Sequence, residues 1–204
     1  GNVHIQKNGF NLYADSIFYA EQLKYAKLWG HVKARDNAYK MSADSMDYDA
    51  KRGRAIFRSA GKIESTVSDE RITCQRGYFY PANGSFFFSG KVHYTKADLD
   101  VKTDTLQFAY EQQKLYFLGQ TQLRNDSTQI YCQKGWYDVQ TEAGALYKHA
   151  EIYQKNYIIK GDTLLINTKM NDYEGRGAVY FKDLDQQLAL LGQKAIFSDT
   201  KHMA

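Results

Sequence analysis

YADSIFY (residues 13–19) returns as SADSMDY (residues 42–48), 29 positions further along the chain. Each phrase sets a small residue, an aspartate and a serine before an apolar residue, and ends in tyrosine. Self-similarity at a fixed period is the mark of a repeat architecture. The column through Asp15 and Asp44 continues, on this reading, through Arg76, Asp104, Lys134 and Asp162, at spacings of 29, 32, 28, 30 and 28. A small residue follows it each time: Ser16, Ser45, Gly77, Thr105, Gly135 and Thr163. Next comes an apolar one: Ile17, Met46, Tyr78, Leu106, Trp136 and Leu164. Three positions ahead of the column stand Leu12, Met41, Thr73, Val101, Tyr131 and Ile159.

A second column interleaves with the first. Gly1, Gly30, Gly61, Gly90 and Gly119 are followed, two residues on, by Val3, Val32, Ile63, Val92 and Thr121. A sixth copy, LYKHAEIY (146–153), lacks the glycine, and IFSDTK (196–201) reads as the first column beginning again. Turn signals separate the columns: Asn8-Gly9, Asp36-Asn37, Lys51 to Gly53, Pro81 to Gly84, Asn125-Asp126, Glu142 to Gly144 and Asn171-Asp172. Such pairs mark hairpins between strands. Each unit therefore reads as two long antiparallel strands.

Side chains alternate faces with period two along a strand. The apolar positions flanking the aspartate column differ by five, so the phase flips at its centre. The glycine column reads the same way, its flanking positions −1 and +2 differing by three. Bulges or corners produce such flips, and small residues suit them. Every strand should bend in its middle, with its halves in different sheets. The fold expected is all-β: an elongated, bent antiparallel β jelly roll, taco-like, of about six to seven 29-residue two-strand repeats. It should run over residues 1–204 as a single continuous domain, with about 13 strands spanning roughly 60 Å.

Composition agrees. At 204 residues and 43% apolar the chain can bury a sizeable core. Its 17 tyrosines and 11 phenylalanines suit pleated surfaces, and a single proline leaves the strands unbroken. The net charge of +4 is spread along the chain, without the basic block of a duplex-binding protein. No apolar stretch approaches the roughly 20 residues of a membrane-spanning helix. The opening Gly-Asn-Val already fits the repeat, which suggests a mature or trimmed chain.

Chemistry-bearing motifs are sparse. The aspartate column could be taken for a calcium ladder, but Arg76 and Lys134 interrupt it, and the glycine-rich nonapeptides of such ladders are missing. Cys74 and Cys132 sit four strands apart in this register, about 19 Å, beyond disulfide reach, and read as small, partly buried residues. The five histidines (His4, His31, His93, His149, His202) lack metal-helix spacing. SAGK (59–62) matches a serine-acylase phrase without its companion motifs. No cofactor site is read, and no metal or catalytic residue.

GNVHIQKNGFNLYADSIFY (1–19) and GHVKARDNAYKMSADSMDYD (30–49) resemble the OstA-like (organic solvent tolerance) repeats of the LptA family, and the resemblance extends over essentially the whole chain. It implies a periplasmic lipopolysaccharide-transport protein of a Gram-negative bacterium, non-enzymatic, whose interior shelters lipid A acyl chains. The side chains expected to line that cleft are Leu12, Ile17, Val32, Met41, Met46, Ile63, Val92, Val101, Leu106, Ile159 and Leu164. Read without the resemblance, the same residues are a packed core. Tyr78, Trp136 and Tyr131 are expected to plug part of any cavity. The implied partners are lipopolysaccharide, other transport proteins paired through edge strands, and further copies stacked head to tail. The edges should lie near residues 1–6 and 190–199. The alternative is an extracellular β-repeat protein that binds carbohydrate on an outward ladder of aromatic rings.

Overall fold

The computed structural model describes residues 3–7 and 9–198; apart from one short 3-10 turn (Pro81–Asn83), their regular structure is all β-strand. Gly1, Asn8, His202 and the end of IFSDTK lie outside the described residues. The chain divides into two compact units, Gly1–Asp100 and Val101–Ala204.

In the first unit the strands are β1 (Val3–Lys7), β2 (Phe10–Ala14), β3 (Ser16–Ala20), β4 (Tyr25–Arg35), β5 (Tyr39–Asp49), β6 (Arg54–Phe57), β7 (Gly61–Ser65), β8 (Arg71–Cys74), β9 (Arg76–Tyr80) and β10 (Ser85–Lys96). All pair antiparallel. One arm runs β1, β2, the end of β4, the start of β5, β7, β8 and the end of β10. The other runs β3, the start of β4, the end of β5, β6, β9 and the start of β10. Each long strand thus bends from one arm into the other, as the sequence predicts.

Strand β11 (Leu99–Ala109) leads into the second unit. There follow β12 (Lys114–Phe117), β13 (Thr121–Arg124), β14 (Thr128–Cys132), β15 (Lys134–Asp138), β16 (Ala143–Gln154), β17 (Tyr157–Asn167), β18 (Asp172–Asp183) and β19 (Ala189–Ser198). Here too, β16 gives one half to β14 and the other to β15. Strands β17, β18 and β19 stay continuous across the bend, with shifted register at each corner.

The corners correct the register read from sequence. Backbone N–H groups of Asp15, Gln75, Asp104 and Gln133 donate across the bend to the carbonyls of Gly30 (2.9 Å), Gly90 (3.0 Å), Gln120 (3.2 Å) and Lys148 (3.3 Å). Asp44 and Asp162 sit where the strand registers skip. The column is therefore Asp15, Asp44, Gln75, Asp104, Gln133 and Asp162, and Arg76 and Lys134 stand one place beyond it. Its spacings become 29, 31, 29, 29 and 29. The position three before it is now aliphatic throughout: Leu12, Met41, Ile72, Val101, Ile130 and Ile159, none more than 3% exposed. The position just before it is small throughout: Ala14, Ala43, Cys74, Thr103, Cys132 and Gly161.

The glycine column works differently from the expectation. Buried Leu28 and Val32 flank Gly30 at an interval of four, while Trp29 is 47% exposed, so no phase flips there. Instead two successive residues adopt left-handed backbone: Gly30 and His31 (φ 76° and 49°), Gly90 and Lys91 (75° and 49°), Gly177 and Ala178 (71° and 45°). The copy without glycine keeps this geometry, with Lys148 at φ 60° and His149 at 55°. A third periodic position emerges at the hairpins. Lys24, Gly53, Gly84, Gln113, Glu142 and Asn171 all have positive φ, nine residues after each corner.

Gly135 shows how tightly the ladder closes. A Cβ there would fall 2.5 Å from the Ala145 carbonyl oxygen and 3.2 Å from the Leu146 Cα, both backbone atoms. Gly135→Ala is expected to cost about 2–3 kcal/mol in urea unfolding. Gly192→Ala, whose Cβ would meet nothing closer than 3.6 Å, should stay within about 0.5 kcal/mol.

Candidate functional site

Alternation along the strands sends aliphatic and aromatic side chains inward from both arms. In the first unit the arms meet through Tyr39 and Phe86 (5.7 Å, edge to face) and through Phe10 and Phe79 (6.3 Å). In the second they meet through Phe181 and Phe197 (4.5 Å, stacked), Tyr157 and Tyr173 (6.2 Å), and a hydrogen bond from the Gln154 amide to the Tyr173 hydroxyl. Ten of the expected cleft residues lie in these interiors, none more than 3% exposed: Leu12, Val32, Met41, Met46, Ile63 and Val92, and in the second unit Val101, Leu106, Ile159 and Leu164. Ile17 is only half-buried, because β3 pairs on one side alone.

The expected aromatic plugs are not in the interior. Register places Gly77 and Gly135 inward, so Tyr78 and Trp136 face out, where Arg54 covers Tyr78 (5.2 Å) and Lys114 covers Trp136 (5.4 Å). Tyr131 is 37% exposed and meets Tyr153 edge-on. The space at Gly77 goes to Phe88, whose ring would lie 2.9 Å from a Cβ there. The one-residue error in the sequence register put these rings on the wrong face.

The interior surfaces at the strand edges. Among the described residues β1, β3 and β19 each pair on one side only. On β19, Leu190 pairs with Phe181 and faces inward, yet remains 51% exposed; Ile5 on β1, opposite Leu12, is 37% exposed. The outer face of β19 also exposes Leu191 and Ile196, at 84% and 69%, with Lys194 between them bound to Glu174. A row of unpaired backbone groups beside exposed apolar side chains is a template for another strand.

Buried charge pins the ends of the arms in the first unit. The Glu70 carboxylate, 3% exposed, accepts hydrogen bonds from the hydroxyls of Tyr39 (2.6 Å) and Tyr94 and lies 4.0 Å from the Lys96 ammonium. Burial, then the neighbouring carboxylate, holds the Tyr94 hydroxyl well above the usual tyrosine range. On the other arm Asp47, 4% exposed, accepts from Tyr25 and from the Arg58 guanidinium. Asp49 is held below the ordinary carboxylate range, chiefly by its hydrogen bond from Arg52. No local sequence motif announces these clusters, since Tyr39, Glu70 and Tyr94 are 31 and 24 residues apart.

Both cysteines are free and buried, each within its own unit. Burial pushes the Cys74 thiol up to about 11 and the Cys132 thiol to about 12. Groups with raised folded-state pKa values contribute stability below the unfolded value and lose it as pH climbs through the folded one. Stability should therefore fall between about pH 9 and pH 12, and replacing both cysteines by alanine should flatten that limb of the curve. Urea unfolding at stepped alkaline pH measures it. Thiol titration should be slow in the native protein and fast in denaturant.

Among the described residues no group of three or more histidine, cysteine, aspartate or glutamate side chains gathers as a metal site would require. Comparisons with known proteins define the family. Residues 1–104 match the family model described as OstA-like protein, and residues 71–172 match the one described as the LptA/(LptD N-terminal domain) LPS transport protein. No individual curated protein matches. Among solved structures, LptH of Pseudomonas aeruginosa, the LptA homologous periplasmic component of that bacterium's lipopolysaccharide transport device, aligns at 10% identity. It covers 92% of this chain and 93% of its own, with a TM-score of 0.21. With two overlapping family models that each span half of its residues, the chain belongs to the OstA-like family of LPS transport proteins that includes LptA and the N-terminal domain of LptD.

Proposed function

We propose that the chain is a non-enzymatic, periplasmic lipopolysaccharide carrier that shelters lipid A acyl chains between the arms of its units and joins neighbouring transport proteins through its open strand edges. One observation carries this reading: the apolar interior is not sealed at β1, β3 and β19, where inward-facing Ile5, Ile17 and Leu190 reach solvent beside unpaired backbone. Each buried CH2 of an acyl chain gains about 0.8 kcal/mol, so a chain of a dozen carbons needs only part of the interior to be held firmly. The cleft residues Val32, Met41, Met46, Ile63, Val92, Val101, Leu106, Ile159 and Leu164 are fully packed without lipid. Acyl chains therefore enter by parting the arms, starting from an edge. Head-to-tail pairing of β19 with the β1–β3 end of a second copy, or of another transport protein, would cover Leu190 and Ile5 and continue the interior from one molecule to the next.

Carbohydrate binding on outward rings stands second. Arg54, Lys114 and Lys160 lie over Tyr78, Trp136 and Tyr153, which occupies ring faces that a sugar would need.

Lipid A, or a fluorescent acyl probe, should bind saturably to the full chain. Leu190→Asp should weaken that binding about tenfold and reduce concentration-dependent association in light scattering, with the melting temperature unchanged. A chain that binds no lipid and stays monomeric at every concentration would sink this proposal.

A further inference from the structure

Two corners carry glutamine where Asp15, Asp44, Asp104 and Asp162 stand elsewhere: Gln75, followed by Arg76, and Gln133, followed by Lys134. Of these two, the corner in the second unit alone has also exchanged the facing glycine, for Lys148. The two lysines come from adjacent strands: Lys134 pairs with Tyr147, and the Gln133 N–H reaches the Lys148 carbonyl at 3.3 Å. The break between β12 and β13 closes the third side. Leu118, Gly119, Gln120, Gln133, Lys134 and Lys148 together line an open groove of about 460 Å³. Asp104 packs on Gly119 from the adjoining strand and does not line it. Neither lysine forms an ion pair among the described residues.

Lys148 also holds a backbone conformation, φ 60°, that its column elsewhere gives to glycine at Gly30, Gly90 and Gly177. Glycine would hold this conformation without strain, so the lysine is carried there at some cost. The phrase around the corner is itself repeated, CQKG (132–135) echoing CQRG (74–77), but only CQKG faces a lysine in the glycine column.

We infer that this groove is an anion site that takes a phosphate ester on a sugar-sized body. Two ammonium groups neutralise a doubly charged phosphate, and the amides of Gln120 and Gln133 supply further donors. The volume greatly exceeds that of a bare phosphate and falls within the range of small-ligand sites. The inference deepens the carrier reading by giving a glycolipid's phosphorylated head group a place outside the apolar interior. Its test uses ligands without acyl chains, so it succeeds or fails separately from lipid binding.

The experiment is amide NMR of the full chain titrated with glucosamine 6-phosphate, inorganic phosphate and unphosphorylated glucosamine. The sugar phosphate should shift the amides of residues 119, 120, 133, 134 and 148 saturably, more weakly at high salt; glucosamine should not. Lys134→Gln combined with Lys148→Gly should lower affinity by roughly tenfold. The fold should survive, because glycine accepts the backbone of residue 148 without strain. Equal affinity for inorganic phosphate would keep the anion site and assign it to the phosphate group alone. Absence of saturable shifts at millimolar probe, or shifts indifferent to the two substitutions, would overturn it.

Discussion

Gln75 lies across the α-carbon of Gly90, Asp104 across that of Gly119 and Asp162 across that of Gly177, so closely that a Cβ on the glycine would come within 2.5 to 2.8 Å of the corner side chain. Asp15 sits on Gly30 in the same way, and its carboxylate also meets the His31 imidazole at 2.8 Å. This stacking of a short polar side chain on a bare backbone lets two adjacent strands turn at the same level. With the turn fixed, the aliphatic residue three places before the corner and the residue two places after it, apolar at four corners and glycine at Gly77 and Gly135, converge from different arms. The core and the arms follow from that alignment. Where Gln133 stands at the corner the facing residue is Lys148, whereas Gln75 still faces Gly90.

Hydrophobic burial alone does not fix the angle between the arms, since an apolar interior is non-directional. Hydrogen bonds at the arm tips supply direction. Tyr39 and Tyr94 converge on one carboxylate, Glu70, and Gln154 reaches across to Tyr173. A buried carboxylate is costly unless its lone pairs are filled, and here two phenolic hydroxyls and a nearby ammonium fill them. The arrangement gives the two faces a closed resting state, which any occupant of the interior must work against.

Much of this was legible in the sequence. The 29-residue period, the bend in every strand and the aliphatic identity of Leu12, Met41, Val101 and Ile159 follow from column spacing and alternation, while the edge character of the two ends was implied by the family resemblance. The register slipped by one residue at two corners because Gln75 and Gln133 replaced the diagnostic aspartate, while Gly77 and Gly135 imitated the small residue expected after it. Two places after the corner Tyr78 and Trp136 are apolar enough to pass for core and hid the slip, although Ile72 and Ile130, beside Thr73 and Tyr131, marked the true register. The even spacing of 29 and 31 residues was the available signal, and the uneven 32, 28, 30 and 28 was its warning. The left-handed pairs at Lys148-His149 and the tyrosine–carboxylate clusters were beyond reach, because backbone handedness without glycine and long-range polar contacts leave no local imprint.

At four of the six corners the side chain, Asp15, Gln75, Asp104 or Asp162, meets a glycine only 15 residues later in the chain. Closure of so short a loop is entropically inexpensive, and no corner has to wait for a distant part of the sequence. Folding can therefore advance hairpin by hairpin, in the manner of a zipper, as the chain emerges. For an array of this kind, gaining or losing one whole period changes length by two strands, about 10 Å, and leaves every remaining corner with its own partner.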